Sequence, residues 1–132
     1  MLRESPIDAA VWRRCREAAF DMANEGDALL HGDLHPGNML RTGNGRRVVA
    51  IDPRPCIGDP AMDLADLAMT RSDSEAAVRR RCRQLAELAD PIDAGRLWRW
   101  CCNFAPIMAV SLVRRAARSA DVTLMRALAE TR

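Results

Sequence analysis

Lysine and tyrosine are absent from this 132-residue chain, and only five aromatic residues occur, three Trp and two Phe. With so few rings the core must come mostly from Leu, Val, Ile, Ala and Met, and a 48% hydrophobic content can supply it within about one domain. With no lysine, all 20 basic side chains are arginine. A planar guanidinium does not replace a compact ammonium where a site needs one. A disulfide framework is missing too. Cys15, Cys56, Cys82, Cys101 and Cys102 are odd in number and form no CxxC motif, so they read as reduced thiols of a cytoplasmic protein. The N-terminal MLRESPIDAAVWRR lacks the apolar core of a signal peptide. The most apolar stretch, Leu97 to Val113, is broken by Arg99, Asn103 and Pro106. It is short for a membrane span and reads as a buried helix. A net charge of +2 is no nucleic-acid signature. The run Arg79, Arg80, Arg81, Arg83 reads as a solvated helix face. The charge is uneven, however: residues 1–66 hold 8 Arg against 11 acids, and residues 67–132 hold 12 Arg against 7.

What is present is a helical pattern with one short β-rich interval. Ser5-Pro6 and Asp8 mark a helix start, apolar residues from Val11 to Met22 recur at helical spacing, and Gly26 marks a stop. This predicts a first helix over 6–25. Ala28 to Leu30 is a short apolar run suited to a strand. Strands at 38–42 and 47–51 flank Asn44-Gly45, a strong hairpin signal. A loop with Pro53, Pro55 and Gly58 follows. Asp59-Pro60 then opens a helix to about Thr70, with Asp59 as cap. Further helices are expected from Ser72 or Asp73 to Ala89, over 94–118 with Pro106 as a kink or a division, and over 122–130 with Asp121 as cap. Trp98, Trp100 and Phe104 read as core, and Asp66 as a structural or solvated acid.

Both histidines lie in HGDLHPGNML, residues 31–40. Spaced four apart, His31 and His35 would converge on a helix, but Gly32, Pro36 and Gly37 oppose helix and no HExxH glutamate is adjacent. Zinc is therefore set aside. Hairpin register says more. A two-residue turn makes paired positions sum to 89 and sets Asn38 opposite Ile51; a three-residue loop sets Asn38 opposite Asp52. Either way Asn38 and Asp52 share the open end of the hairpin. If both side chains serve one site, the odd loop or a bulge is expected. Asp33, five residues before Asn38, can curl back to that end. Two carboxylates and an amide form an oxygen-only set suited to Mg²⁺.

Asp33 to Asn38 has the D-x-x-x-x-N spacing of a kinase catalytic loop. The string HGDLHPGN resembles the Brenner-type motif of aminoglycoside and related small-molecule phosphotransferases. AIDPRPCIGDPAMDLA, and less specifically WRWCCNFAPIMAVSLVRR, resemble the streptomycin 6-phosphotransferase and hydroxyurea phosphotransferase group, over residues 20–115. The resemblance implies an α+β, mainly helical chain: a protein-kinase-like C-terminal lobe over 1–132, whose β-hairpin carries the catalytic and metal-binding residues. Within it, 1–27 form a leading helix, 28–58 the catalytic loop, hairpin and metal-binding loop, and 59–132 a helical subdomain. It implies transfer of the γ-phosphoryl group of ATP to a small-molecule hydroxyl, with Mg²⁺ as cofactor. Asp33 would be the catalytic base, Asn38 and Asp52 would bind Mg²⁺, and His31 and Asp63 would support the loop. His35 and Arg54 stand as substrate or phosphate contacts. Sugar and choline kinases share similar loops and form an alternative substrate class. The glycine-rich N-terminal lobe and its strand lysine are not found here. A second expectation is therefore a catalytically silent kinase-lobe fragment or interaction module, completed by a missing lobe or a self-associating partner chain. Neither nucleic acid nor membrane is expected as a partner.

Overall fold

The computed structural model describes residues 5–131; residues 1–4 and 132, which the sequence reading includes in its terminal segments, lie outside the described residues. The architecture is α+β and mainly helical. Helix α1 (Ala9–Ala23) is followed by β1 (Ala28–Leu30), β2 (Met39–Arg41), β3 (Val48–Ala50) and β4 (Cys56–Gly58). Helices α2 (Ala61–Met69), α3 (Glu75–Leu88), α4 (Ala94–Arg114) and α5 (Ser119–Glu130) complete it. Helix α4 lies at the centre, and α1, α2, α3 and α5 all pack on it.

Local chemistry explains the helix ends. Asp8, not Ser5, caps α1, its Oδ1 accepting from the N–H groups of Ala10 and Val11 at 2.8 and 3.4 Å. A carboxylate there serves two free donors and meets the positive end of the helix dipole. Gly26 is not the stop; Asn24 is the C-cap. Glycine is needed at 26 because a Cβ would sit 2.3 Å from the Asp59 nitrogen. Ser74 caps α3 and Asp93 caps α4. The last helix starts at Ser119, three residues before the predicted 122, and Asp121 pairs with Arg118 in its first turn instead of capping it.

Pro106 does not divide α4, which runs unbroken from Ala94 to Arg114. Proline has no N–H for the Cys102 carbonyl. The Cys15 thiol lies 3.8 Å from that oxygen and 3.5 Å from the Ala129 carbonyl, on the buried seam of α1, α4 and α5. The core is built of Ala, Met, Leu, Val and Ile as expected, with four cysteines added. Ala65, Ala68, Ala105 and Ala109 are fully buried and let helices approach closely, while Cys15, Cys82, Cys101 and Cys102 fill space beside Met22, Leu97 and Trp100. Trp100 meets Phe104 edge-on at 5.0 Å. Trp98 is only half-buried, with the Arg79 guanidinium 3.7 Å from its ring centre. All five cysteines are free.

Two antiparallel ribbons lie beside the helices. In the first, Met39 pairs with Ala50 and Arg41 with Val48, so partners sum to 89. Its connection is longer than two residues: the Gly45 N–H bonds the Thr42 carbonyl, and the Thr42 N–H bonds the Arg47 carbonyl. The second ribbon pairs β1 with β4, Leu29 opposite Ile57. The loop expected after Asp52, with Pro53, Pro55 and Gly58, instead contains strand β4. Among the described residues no helix is long and apolar enough to cross a membrane.

Candidate active site

His31 ties three chain segments together. Its N–H donates to Asp63 Oδ2 at 2.7 Å, and the Gly32 N–H donates to Asp63 Oδ1 at 2.9 Å. Its carbonyl accepts from the Arg54 N–H at 2.8 Å. On the ring, Nδ1 lies 3.3 Å from the Asp33 N–H and Nε2 lies 3.0 Å from the Ile51 carbonyl. Both contacts are satisfied by one neutral tautomer, protonated on Nε2. Asp63, in the first turn of α2, thus grips the backbone of the loop, and His31 joins that loop to the end of β3. Hydrogen bonds to a carboxylate contribute about 1.5–3 kcal/mol each. Gly32 has φ +81°, and a Cβ there would lie 1.9 Å from the Arg54 carbonyl oxygen. The turn requires glycine on both counts.

Beyond Gly32 the chain folds back on itself. His35 caps a short 3-10 turn (Pro36–Asn38), its Nδ1 accepting from the Gly37 N–H at 3.0 Å. The turn brings the Asn38 amide to Asp33, its Nδ2 lying 2.9 Å from the Asp33 carbonyl and 3.4 Å from Asp33 Oδ2. Asn38 is buried. Its backbone carbonyl accepts from the Ile51 N–H at 2.9 Å. Asn38 therefore stands opposite Ile51, in the even register, with neither an odd loop nor a bulge. Asp52, the next residue, adopts a left-handed backbone with φ +55°. Past the last paired position, strand alternation no longer fixes its side chain, and aspartate tolerates this conformation.

The candidate residues thus fall into groups. Asp33, Asn38, His35 and Arg54 are neighbours: Arg54 Nε lies 3.6 Å from Asp33 Oδ2, and His35 Nε2 lies 3.9 Å from Asp33 Oδ1. Asp52 shares the hairpin end but has no hydrogen bond or ion pair to that group. With Nδ2 turned to Asp33, the Asn38 amide oxygen and the Asp52 carboxylate are hard donors of the type Mg²⁺ takes. Among the described residues no three His, Cys, Asp or Glu side chains surround a common metal position. Cysteine chemistry has no support at Cys15 or Cys102. Burial raises the Cys15 thiol, and Cys102 is pushed up to about 12 by burial first.

A cavity of about 640 Å³ opens beside Asp33 and is walled by Asp66, Arg71, Ile107, Ser111 and Arg115 among others. A smaller one of about 190 Å³ shares Asp33 and continues to Met62 and Phe104. Asp66 accepts from the Thr70 hydroxyl at 2.8 Å while lining both.

Sequence reasoning missed two arginines that hold the frame. Arg96 donates through Nε to Asp59 Oδ2 at 2.5 Å, through Nη1 to Glu25 Oε2 at 2.6 Å and through Nη2 to the Met22 carbonyl at 3.0 Å. Asp59 also accepts from Trp100 Nε1 at 2.7 Å and from the Ala61 N–H at 3.0 Å, so the expected cap is a buried junction as well. Burial alone would raise this carboxyl. The bonds from Trp100, Arg96 and Ala61, with the Arg96 charge, outweigh burial and hold it below the usual carboxylate range. Arg81, expected on a solvated face, donates to the carbonyls of Leu67 and Thr70 at the C-terminal end of α2. Neither arginine has a local sequence signal, because its partners lie 11 to 74 residues away.

A family model described as "Aminoglycoside/hydroxyurea antibiotic resistance kinase" matches residues 8–116. Streptomycin 6-kinase of Streptomyces griseus is 36% identical over 103 residues, covering 72% of this chain and 33% of that protein. The streptomycin 6-kinase of Streptomyces glaucescens is 35% identical with the same coverage. Hydroxyurea phosphotransferase of Kitasatospora aureofaciens is 49% identical over 53 residues, 39% of this chain and 15% of that protein. The chain therefore spans at most about a third of the length of these relatives. No solved structure matches it.

Proposed function

The chain belongs to the aminoglycoside/hydroxyurea antibiotic resistance kinase family, and on that premise we propose that it carries the phosphoryl-transfer end of an ATP-dependent phosphotransferase acting on a small-molecule hydroxyl. The observation that carries this reading is the Asp33 carboxylate. It is set between the Asn38 amide and a 640 Å³ cavity, on a loop whose backbone Asp63 holds at two points. Asp33 orients the acceptor hydroxyl and takes its proton. The acceptor oxygen bonds to the γ-phosphorus as the bond to the β,γ-bridging oxygen breaks, and ADP leaves with that electron pair. Asn38 Oδ1 and Asp52 would hold Mg²⁺, which supplies charge neutralisation at the phosphates. Arg54 and His35, beside Asp33, are placed to meet phosphate or acceptor oxygens. The relatives' names point to streptomycin and hydroxyurea as acceptors of those proteins.

The test is transfer of labelled γ-phosphate from Mg-ATP by the 132-residue chain, compared with Asp33→Asn. The expected loss is about 10²–10⁴-fold, the range for removing a positioned acid–base group. Measurable transfer that Asp33→Asn leaves unchanged would sink the reading.

A second reading is supported by the two ribbons. Leu29, Ile57, Leu40 and Val49 are 76, 66, 51 and 49% exposed. These apolar faces, with the absence of any lysine, favour a chain that completes its nucleotide site against another polypeptide segment, either an N-terminal lobe or a second copy of the chain. Micromolar Mg-ATP affinity of the chain alone would overturn it.

A further inference from the structure

We propose that Cys82 and Cys101 form a redox-active dithiol, a modification site at which a small hydroperoxide closes a disulfide that locks α3 onto α4. The observation that carries this is a sulfur–sulfur contact. Cys82, midway along α3, and Cys101, in the part of α4 packed against it, place their Sγ atoms 3.8 Å apart. Both thiols are free and buried, 1 and 0% exposed. A disulfide sets its sulfurs about 2.05 Å apart. Turning the two side chains about Cα–Cβ, with a small approach of the helices, closes the remaining gap. The other three thiols are differently placed. Cys15 is aimed at the carbonyls of Cys102 and Ala129. Cys56 is exposed on β4. Cys102 directly follows Cys101, and adjacent residues of a helix do not face each other.

The two sulfurs are not equivalent. Cys82 is drawn toward thiolate: the contact from Cys101 lowers its thiol, against burial, and the Arg79 and Arg83 charges add to the effect. Cys101 is pushed up by the same contact and by burial. It stays a thiol, with the Ala65 carbonyl 3.7 Å away. This division suits stepwise oxidation. The Cys82 thiolate attacks the hydroperoxide, an S–O bond forms as the O–O bond breaks, and the departing oxygen takes a proton and leaves as an alcohol. The Cys101 sulfur then attacks the Cys82 sulfur. The S–S bond forms as the S–O bond breaks, and the released hydroxide takes the Cys101 proton and leaves as water. Two thiols and one hydroperoxide give one disulfide, one alcohol and one water, with two electrons passing from sulfur to peroxide. Burial restricts the reaction to a small oxidant that enters by local opening of α3. The position gives the bond a consequence. Arg81, next to Cys82, holds the Leu67 and Thr70 carbonyls at the end of α2, beside the cavity wall. Next to Cys101, Trp100 bonds Asp59 at 2.7 Å. A link between the two cysteines ties the brace on α2 to the centre of the core, and it also restricts the unfolded chain.

The test uses the 132-residue chain with Cys56→Ser, so that the exposed thiol cannot pair between molecules, and with the four buried cysteines kept. The folded protein is treated with a few-fold excess of hydrogen peroxide at neutral pH, blocked with iodoacetamide and mapped by mass spectrometry without reduction. The expected product is a peptide linked through Cys82 and Cys101, in a protein lighter by two hydrogens. Its melting temperature should be higher than that of the reduced protein by about 5 °C or more. Dithiothreitol should reverse both changes. In Cys56→Ser/Cys82→Ala the link and the shift should both vanish. The mapping needs no change in the core, so a poorly folding variant would not decide the result. Four outcomes would each overturn the proposal: both thiols still free after peroxide treatment, a link that forms only in urea, sulfinic acid at Cys82 with no link, or a link that lowers the melting temperature.

Discussion

At the scale of single residues, much of the frame depends on carboxylates that cap, clamp and pair. Asp8 and Asp93 each sit at a helix start, Asp63 grips a loop backbone, and Asp59 joins α1, α2 and α4 through Arg96 and Trp100. Asp59 gives a test with a defined sign. Its folded carboxyl is held below the ordinary value of about 3.9. The stability it contributes is therefore fully present above about pH 4 and is lost as pH falls through the lower folded value. Asp59→Asn breaks a buried pair, for which the expected loss at neutral pH is about 3 kcal/mol. Urea unfolding of both proteins should show a constant gap from pH 8 to 5 and a narrowing gap toward pH 3. A gap that widens on acidification would mean that Asp59 does not act through its charge. The role of Asp59 as a cap was legible in Asp59-Pro60, since capping is written within a few residues. Its pairing with Arg96, 37 positions on, was not.

At the scale of elements, helix α2 links frame and cavity. Its first turn supplies Asp63 to the loop, and its end leads directly into Arg71 and Ser72 on the cavity wall. Arg81, from α3, closes that end by bonding the carbonyls of Leu67 and Thr70. Arg81→Met keeps the apolar stem and removes the donors. The expected cost is about 1–2 kcal/mol of stability, together with faster amide exchange at residues 70–72 than in the rest of α2. Uniform change along α2, or none, would mean that this end does not depend on Arg81. The elements were read well where the signal is local. Strands at 38–42 and 47–51 contain the observed Met39–Arg41 and Val48–Ala50, and Asp93 caps α4 as expected, whereas α3 is capped by Ser74 and not by Ser72 or Asp73. Strand β4 escaped because its three residues follow two prolines and its partner β1 lies 26 to 30 positions earlier. Pairing arithmetic left two hairpin registers open; the observed one is that of the two-residue turn, reached through a longer loop, and the left-handed turn at Asp52 was not foreseen.

At the scale of the molecule, the core follows the composition except for its cysteines, but several large apolar residues stay outside it. Alanine, cysteine and methionine fill much of the helical core, while Leu29, Leu40, Val48, Val49 and Ile57 stand exposed on the two ribbons. The cause is geometric. Helices on every side of α4 need small residues where they approach, and the two-stranded ribbons keep an open face. Leu29 and Ile57 are cross-strand partners on one ribbon, as Leu40 and Val49 are on the other. An exposed strand pair carrying large apolar side chains is a template for association. Leu29→Thr/Ile57→Thr tests whether this face is free in the isolated chain. Threonine preserves strand preference and shape at the β-carbon. Because both side chains are more than half exposed, thermal stability should change by no more than about 0.5 kcal/mol. Binding of an apolar dye, and the concentration dependence of the weight-average mass in sedimentation equilibrium, should both fall. If the melting temperature drops by several degrees while association is unchanged, the two residues pack against the same chain in solution and the ribbon offers no docking face. If association falls and stability holds, the ribbon is an association surface of the isolated chain.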